Sequence, residues 1–149
     1  MSTESEEPAL PYPTITPYLF YADAAAAIAW LARAFGFVER RRIEAPDGTI
    51  AHAELATGAD GVIMFGSPGE EYESPRARAR PTTSLYVRVE DPDAHADRAR
   101  GAGARIVVKP VDRPWGDREY AAEDLEGHRW VFWARHAGEA RTSRPGTRT

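Results

Sequence analysis

An internal repeat constrains this chain more than any other feature of its sequence. Tyr18-Leu19-Phe20-Tyr21 precedes an alanine-rich segment that ends in a glycine, and Leu85-Tyr86-Val87-Arg88-Val89 precedes a second such segment. Each copy then passes through short apolar runs and closes with Val62-Ile63-Met64-Phe65 or with Trp130-Val131-Phe132-Trp133. Two stretches of similar size and order are typical of a duplicated fold. We therefore expect an α+β domain of two strand-helix-strand-strand-strand (βαβββ) modules.

Local signals place the two helices. Asp23 stands where an N-cap side chain accepts a backbone N–H, and residues 24–35 carry one apolar stripe that ends at Gly36. Asp91-Pro92 opens the second helix, on which we expect His95 to lie at the solvated surface. The prolines at 110 and 114 predict an irregular stretch after a short strand at residues 106–108.

Composition limits the class of protein. The chain has 149 residues, 42% of them hydrophobic, with a net charge of −4 and no cysteine. This predicts one mildly acidic domain with a real core and no affinity for nucleic acid. Disulfides, thiolate nucleophiles and cysteine-ligated metals are excluded, and we expect no membrane span and a cytoplasmic location. The predicted organisation is a flexible N-terminal arm (1–13), a first module (14–66), a linker (67–82), a second module (83–135) and a disordered tail (136–149).

Three segments carry a family resemblance. Trp115-Gly116-Asp117-Arg118-Glu119-Tyr120, Asp124-Leu125-Glu126-Gly127-His128-Arg129-Trp130 and His52-Ala53-Glu54-Leu55 resemble the vicinal oxygen chelate superfamily. That superfamily includes glyoxalase I, extradiol dioxygenases, fosfomycin-resistance enzymes and bleomycin-resistance proteins, and the chain is most similar to the bleomycin-resistance and PhnB-like branch. The resemblance implies two βαβββ modules whose curved mixed sheets form a cup around a ligand, often in a homodimer.

The resemblance also implies where a metal would bind. Metalloenzymes of the superfamily place His, Gln or Glu on four strand positions, which an ungapped reading assigns to Thr16, Met64, Ser84 and Val131. None of these side chains is a strong ligand for a divalent metal, and a shift of one residue adds none. We therefore predict no metal and no cofactor.

His52 and Glu54 are the candidate catalytic residues because alternate strand residues share a face. They either act in acid-base chemistry, or Glu54 pairs with an arginine while His52 packs beside it. Arg118 follows an aromatic plate and a glycine, which suits a ligand mouth, although it could equally pair with Glu54, Asp117 or Asp124. The predicted ligand-binding residues are Phe20, His52, Glu54, Met64, Tyr86, Trp115, Arg118 and Tyr120.

These residues support three hypotheses about function. The first is a metal-independent small-molecule-binding protein, with an antibiotic or a related metabolite as candidate ligand and antibiotic resistance as the outcome. The second is a lyase or isomerase-like enzyme in which Glu54 or His52 is the base and Arg118 stabilises an anion, or a metal enzyme with non-standard ligands. The third is a homodimeric scaffold or a protein-interaction module.

Overall fold

The structure, a computed structural model, describes residues 12–77 and 81–135. The predictions for residues 1–11 of the N-terminal arm and for the tail at 136–149 lie outside these ranges. The first module comprises β1 (Tyr18–Phe20), α1 (Ala24–Phe35), β2 (Val38–Glu44), β3 (Ile50–Ala56) and β4 (Val62–Gly66). The second comprises β5 (Ser84–Arg88), α2 (Pro92–Gly101), β6 (Arg105–Asp112), β7 (Asp117–Glu123) and β8 (Arg129–Arg135).

Each module forms one four-stranded mixed sheet with the same topology. The strand orders are β1-β4-β3-β2 and β5-β8-β7-β6, in which β1 pairs with β4, and β5 with β8, in parallel, while the other pairs are antiparallel. The predicted α+β fold of two βαβββ modules is confirmed.

Helix α1 forms as its sequence predicts. The Asp23 carboxylate accepts a hydrogen bond from the Ala26 backbone N–H at 3.0 Å, and Gly36 ends the helix with a φ of 80°. The apolar stripe does not serve the first module alone, because the ring centroid of Phe35 lies 5.6 Å from that of Trp130 and 4.8 Å from that of Phe132. The two modules therefore share one hydrophobic core.

The register of the first sheet defines the face that matters for function. Tyr18, Met64, Glu54 and Arg41 lie opposite one another on successive strands, and directly opposed residues have side chains on the same side. We call this side the front face of the first sheet. Its opposite side contributes to the core, with Leu19, Ala53, Leu55, Ile63 and Phe65.

Two expectations for the second module were wrong. Strand β6 continues through Pro110 to Asp112 instead of stopping at residue 108, because β6 is an edge strand and its pairing shifts register between Val108 and Val111, where a missing N–H is tolerated. His95 is half-buried between the modules rather than solvated. Its Nε2 donates to the Phe35 carbonyl at 3.0 Å and its Nδ1 accepts from the Tyr120 hydroxyl at 2.6 Å.

The turn between β7 and β8 is organised by a buried carboxylate. Asp124 is 1% exposed and accepts hydrogen bonds from the Tyr21 hydroxyl at 2.6 Å and the Trp130 indole N–H at 3.0 Å. Its other oxygen accepts from the backbone N–H groups of Glu126 and His128, both at 3.0 Å. The Asp124-to-Trp130 segment therefore joins the two modules.

The linker is docked on the same turn. Arg76 donates from its guanidinium to the carbonyls of Leu125 and Asp124, and its backbone N–H bonds to the Glu126 carbonyl. Gly127 has a φ of 96°, and a Cβ there would lie 2.6 Å from the Arg76 backbone nitrogen. A glycine is thus required at 127 by both conformation and space.

Candidate functional site

A buried carboxylate lies in the middle of the front face. Glu54 is 2% exposed, although it belongs to a sheet surface whose other side chains reach solvent. Tyr12 donates from its hydroxyl to Glu54 Oε1 at 2.8 Å, His52 Nε2 lies 3.0 Å from Oε2, and Arg41 Nη1 lies 3.9 Å from Oε2. The cover is thin, because the Tyr12 side chain that supplies it is itself 44% exposed.

These partners keep Glu54 ionised. Burial of the carboxyl raises its pKa, but the hydrogen bonds from His52 and Tyr12 and the charge of Arg41 outweigh burial and leave the pKa below its usual value. The same hydrogen bond, together with burial, raises the pKa of the Tyr12 phenol, so Tyr12 remains a donor at neutral pH. Glu54 is therefore a permanent acceptor on the front face.

Aromatic rings run along the front face toward this carboxylate. The ring centroids of Tyr72 and Phe20 are 6.0 Å apart, those of Phe20 and Tyr18 are 5.7 Å apart, and those of Tyr18 and His52 are 6.1 Å apart. We call these four residues the aromatic row. Phe20 and Tyr18 are 47% and 48% exposed, which leaves apolar ring surface in contact with water.

The far end of the aromatic row opens into a cavity of about 460 Å³. The cavity lies where the edges of the two sheets meet the linker, and the Tyr72 hydroxyl fixes this wall by donating to the Phe20 carbonyl at 2.8 Å. Its volume is within the range of sites for small molecules. Its lining is mostly apolar and includes Pro17, Tyr18, Phe20, Tyr72, Pro75 and Leu85.

The second sheet carries a smaller arrangement of its own. Glu119, 6% exposed, accepts from Arg113 Nε at 3.1 Å, and the Arg113 guanidinium lies 5.8 Å from the Trp115 ring centroid. Trp115 is exposed, as is Tyr86, which lies opposite Val131 on the side of the second sheet that faces away from the core; we call this side the front face of the second sheet. Both remain candidates for contact with a ligand.

The structure brings some predicted residues together and separates others. His52, Glu54, Met64 and Phe20 share the front face of the first sheet. Arg118 does not join them, because its guanidinium pairs with Asp93 and Asp112 at 3.1 and 2.8 Å.

Tyr120 is fully buried in the core, where its hydroxyl bonds to His95, so it presents nothing to a ligand on either front face. Glu54 was expected to pair with an arginine, with Arg118 as one candidate. The arginine that approaches it is instead Arg41 on the neighbouring strand β2, and His52 lies beside the carboxylate. His128 also has a structural role, since its Nε2 donates to the Phe20 carbonyl at 2.8 Å.

Three residues of the site were missed in the sequence. Tyr12 falls in the segment predicted to be a flexible arm, Tyr72 falls in the linker, and Arg40 is the extra residue of a bulge between Glu39 and Arg41. The Arg40 guanidinium lies 5.0 Å from the Tyr12 ring centroid. No sequence signal marked them, because their positions depend on register and on how the segments outside the strands fold back.

Two absences were tested on residues 12–77 and 81–135. Within these ranges there is no cluster of three or more His, Asp or Glu side chains arranged to hold a metal ion. No helix in the same ranges is both long and apolar enough to cross a membrane.

Comparisons with known proteins agree with the fold. The sequence profile of the glyoxalase/bleomycin resistance protein/dioxygenase superfamily matches residues 13–132. An uncharacterized protein of Mycobacterium bovis is 34% identical over 122 residues, which are 79% of this chain and 80% of that protein. An uncharacterized protein of Mycobacterium tuberculosis has the same identity over the same length, with 72% of its own chain covered.

Solved structures give the same result. The crystal structure of TioX from Micromonospora sp. ML1 is 41% identical with a TM-score of 0.67, covering 82% of this chain and 95% of that one. A glyoxalase/bleomycin resistance protein/dioxygenase from Nocardioides is 21% identical with a TM-score of 0.62 and covers 87% of each chain, a likeness of fold alone.

Proposed function

The chain belongs to the glyoxalase/bleomycin resistance protein/dioxygenase superfamily, and from this premise we propose that it is a metal-independent protein that binds a planar or amphipathic small molecule. The observation that carries the proposal is the aromatic row, which leads from a cavity of about 460 Å³ to the ionised Glu54. Exposed rings beside a single fixed acceptor are suited to affinity and orientation of a ligand. The candidate ligand is a planar or amphipathic antibiotic or a related metabolite. We also propose that the chain belongs to the bleomycin-resistance branch of the superfamily.

The residues present do not fit the divalent metal of the superfamily's metalloenzymes. Tyr18, and not Thr16, lies opposite Met64, while Tyr86, and not Ser84, lies opposite Val131. These positions therefore hold two phenols, a thioether and an alkyl group in place of imidazole, amide or carboxylate donors. Glu54, the carboxylate beside them, already accepts from Tyr12 and His52. We assign the site no metal-dependent step.

The contacts favour binding over proton abstraction by Glu54. A general base works best with a pKa near the working pH, whereas the pKa of Glu54 lies below its usual value and its oxygens already face donors. Arg118, the predicted anion stabiliser, is held by Asp93 and Asp112. The three residues of the lyase or isomerase hypothesis, His52, Glu54 and Arg118, therefore do not lie together.

The binding proposal is tested with planar aromatic probes, acridine and naphthalene, by thermal shift and equilibrium dialysis. We expect Phe20→Ala and Tyr18→Ala each to weaken probe binding by about five-fold, because each removes one aromatic contact. Val107→Ala is the matched control, since it removes an exposed apolar side chain from β6 outside the aromatic row. Equal affinity in all four proteins, or no binding of either probe, would contradict the proposal.

The enzymatic alternative is tested separately by following deuterium uptake from heavy water into the carbon next to the carbonyl of 2-oxobutyrate. We expect no uptake above background. Uptake that the wild type catalyses and Glu54→Gln abolishes, with folding preserved, would replace the binding proposal by the enzymatic one.

We also propose that two copies associate through their front faces and act in the cytoplasm. Val38, Ile43 and Tyr86 expose large apolar surfaces that a second copy would cover while leaving the aromatic row and the cavity for a ligand. Light scattering should give the mass of a dimer. Val38→Glu, which places a charge on this surface, should shift the mass toward that of a monomer.

A further inference from the structure

We propose that the ligand is a hydroxyaromatic compound. Its ring and hydroxyl take the place that Tyr12 occupies in this structure, so that binding displaces Tyr12. This inference rests on the proposed function and names the ligand class for the same site.

The contacts of Tyr12 are those of a small phenolic ligand. Its hydroxyl donates to Glu54 Oε1 at 2.8 Å, and its ring lies 5.0 Å from the Arg40 guanidinium. A hydrogen bond to a buried carboxylate and a cation over the ring face together define a pocket for a phenol. The backbone of Tyr12 belongs to no strand, since β1 begins only at Tyr18.

This occupant is replaceable. Tyr12 is 44% exposed, so its ring can leave without opening the core. Tyr12 also leaves one donor beside it unpaired, because Nη2 of Arg40 is buried and has no hydrogen-bond partner in the described ranges 12–77 and 81–135. Another molecule with the same ring and hydroxyl could take its place.

The pocket requires a donor from whatever occupies it. The ionised carboxylate of Glu54 only accepts hydrogen bonds, and leaving its buried Oε1 without a donor carries the full cost of desolvation. A site built around a hydroxyl discriminates strongly against an analogue that lacks it. The aromatic row begins beside this point at His52 and Tyr18, which gives further rings of the ligand a surface on which to lie.

The experiment uses p-cresol, which is the side chain of tyrosine as a free molecule, and 4-methylanisole, which has nearly the same shape but no hydroxyl donor. Binding to wild type and to Tyr12→Ala is measured by ligand-observed NMR at millimolar concentrations. We expect Tyr12→Ala to bind p-cresol at least about ten-fold more tightly than 4-methylanisole, the smallest effect expected for one charge-assisted hydrogen bond. We expect wild type to bind p-cresol at least about ten-fold more weakly than Tyr12→Ala does, because Tyr12 competes.

Two further measurements test the inference, and the second, made on wild type, keeps it falsifiable if Tyr12→Ala perturbs the fold. Tyr12→Ala combined with Glu54→Met should bind both probes alike, because the acceptor is gone while the length of the side chain is kept. In wild type labelled with ¹³C-tyrosine, excess p-cresol should move the ring signals of Tyr12, identified with Tyr12→Phe, toward the values of an exposed tyrosine.

The outcomes separate this inference from the proposed function. Equal affinity of Tyr12→Ala for the two probes, equal affinity of wild type and Tyr12→Ala for p-cresol, or unmoved Tyr12 signals would overturn the inference. If acridine or naphthalene still binds through Phe20 and Tyr18 in that case, the proposed function survives. If neither protein binds any aromatic probe, both proposals fail.

Discussion

Replacing Asp124 by asparagine tests whether the Asp124-to-Trp130 segment is structural. The shape is kept, and the backbone N–H groups of Glu126 and His128 can still donate to the amide oxygen. The amide nitrogen, however, then faces the Trp130 indole N–H, which can only donate. The Tyr21 hydroxyl can rotate and accept, so the Trp130 donor is the group left buried without a partner.

The size of the effect follows from this single loss. A hydrogen bond to a charged group contributes about 1.5–3 kcal/mol, and a buried unpaired donor costs about 1–3 kcal/mol. We therefore expect Asp124→Asn to lower the free energy of unfolding by about 2–4 kcal/mol and the melting temperature by about 6–12 °C.

Urea unfolding followed by tryptophan fluorescence, to which Trp130 contributes together with the three other tryptophans of the chain, measures the change. Asp60→Asn is the matched control, because Asp60 lies exposed in the turn between β3 and β4 and its replacement should change stability by less than about 0.5 kcal/mol. If Asp124→Asn and Asp60→Asn are equally stable, the buried carboxylate does not hold the turn and the reasoning is wrong.

Two further predictions concern the joints between the modules. Burial and the charge of Arg98 lower the pKa of His95, although its hydrogen bond to the Phe35 carbonyl acts in the opposite direction. As pH falls below about 6.5, the histidine therefore takes up a proton in the unfolded chain before it does so in the folded one, which favours unfolding. The free energy of unfolding should then decline from pH 7 to pH 5 more steeply in wild type than in His95→Gln, whose amide can replace the hydrogen bonds to the Phe35 carbonyl and the Tyr120 hydroxyl without titrating. Parallel pH profiles of the two proteins would contradict this. Gly127→Ala should destabilise by about 1–2 kcal/mol more than Gly48→Ala, since both residues have positive φ but only residue 127 meets Arg76. Chemical denaturation measures this difference, and equal losses would show that the linker is not docked there.

The order of elements was readable from the sequence because it depends on local signals. Asp23, Gly36 and the stripe between them set the limits of α1, which the structure confirms to the residue. Repetition of the same signals gave the second module, and with it the two-module fold. The strand β6 was misread because proline usually ends a strand, and only its edge position explains why Pro110 is tolerated.

Only part of the candidate site could be predicted from the sequence. Alternation along β3 was enough to set His52 and Glu54 on one face, and that prediction holds. Tyr12 could not be found, because its contact with Glu54 joins residues 42 positions apart and Tyr12 itself lies outside the strands, whose alternation places the other residues of the site. Arg118 was predicted at the ligand because its charge suits an anion, whereas Asp93 of α2 lies close enough to hold it on the side of the second sheet that carries this helix.

The position of helix α1 bears on how the molecule opens. Phe35 belongs to the first module by sequence, yet its ring lies against Trp130 and Phe132 of the second. Neither half can separate without exposing the apolar surface of the other, so the duplicated chain should unfold as one cooperative unit. Slow amide protons of both sheets should exchange with a single opening free energy, and two fragments cut at the linker should regain structure only when mixed.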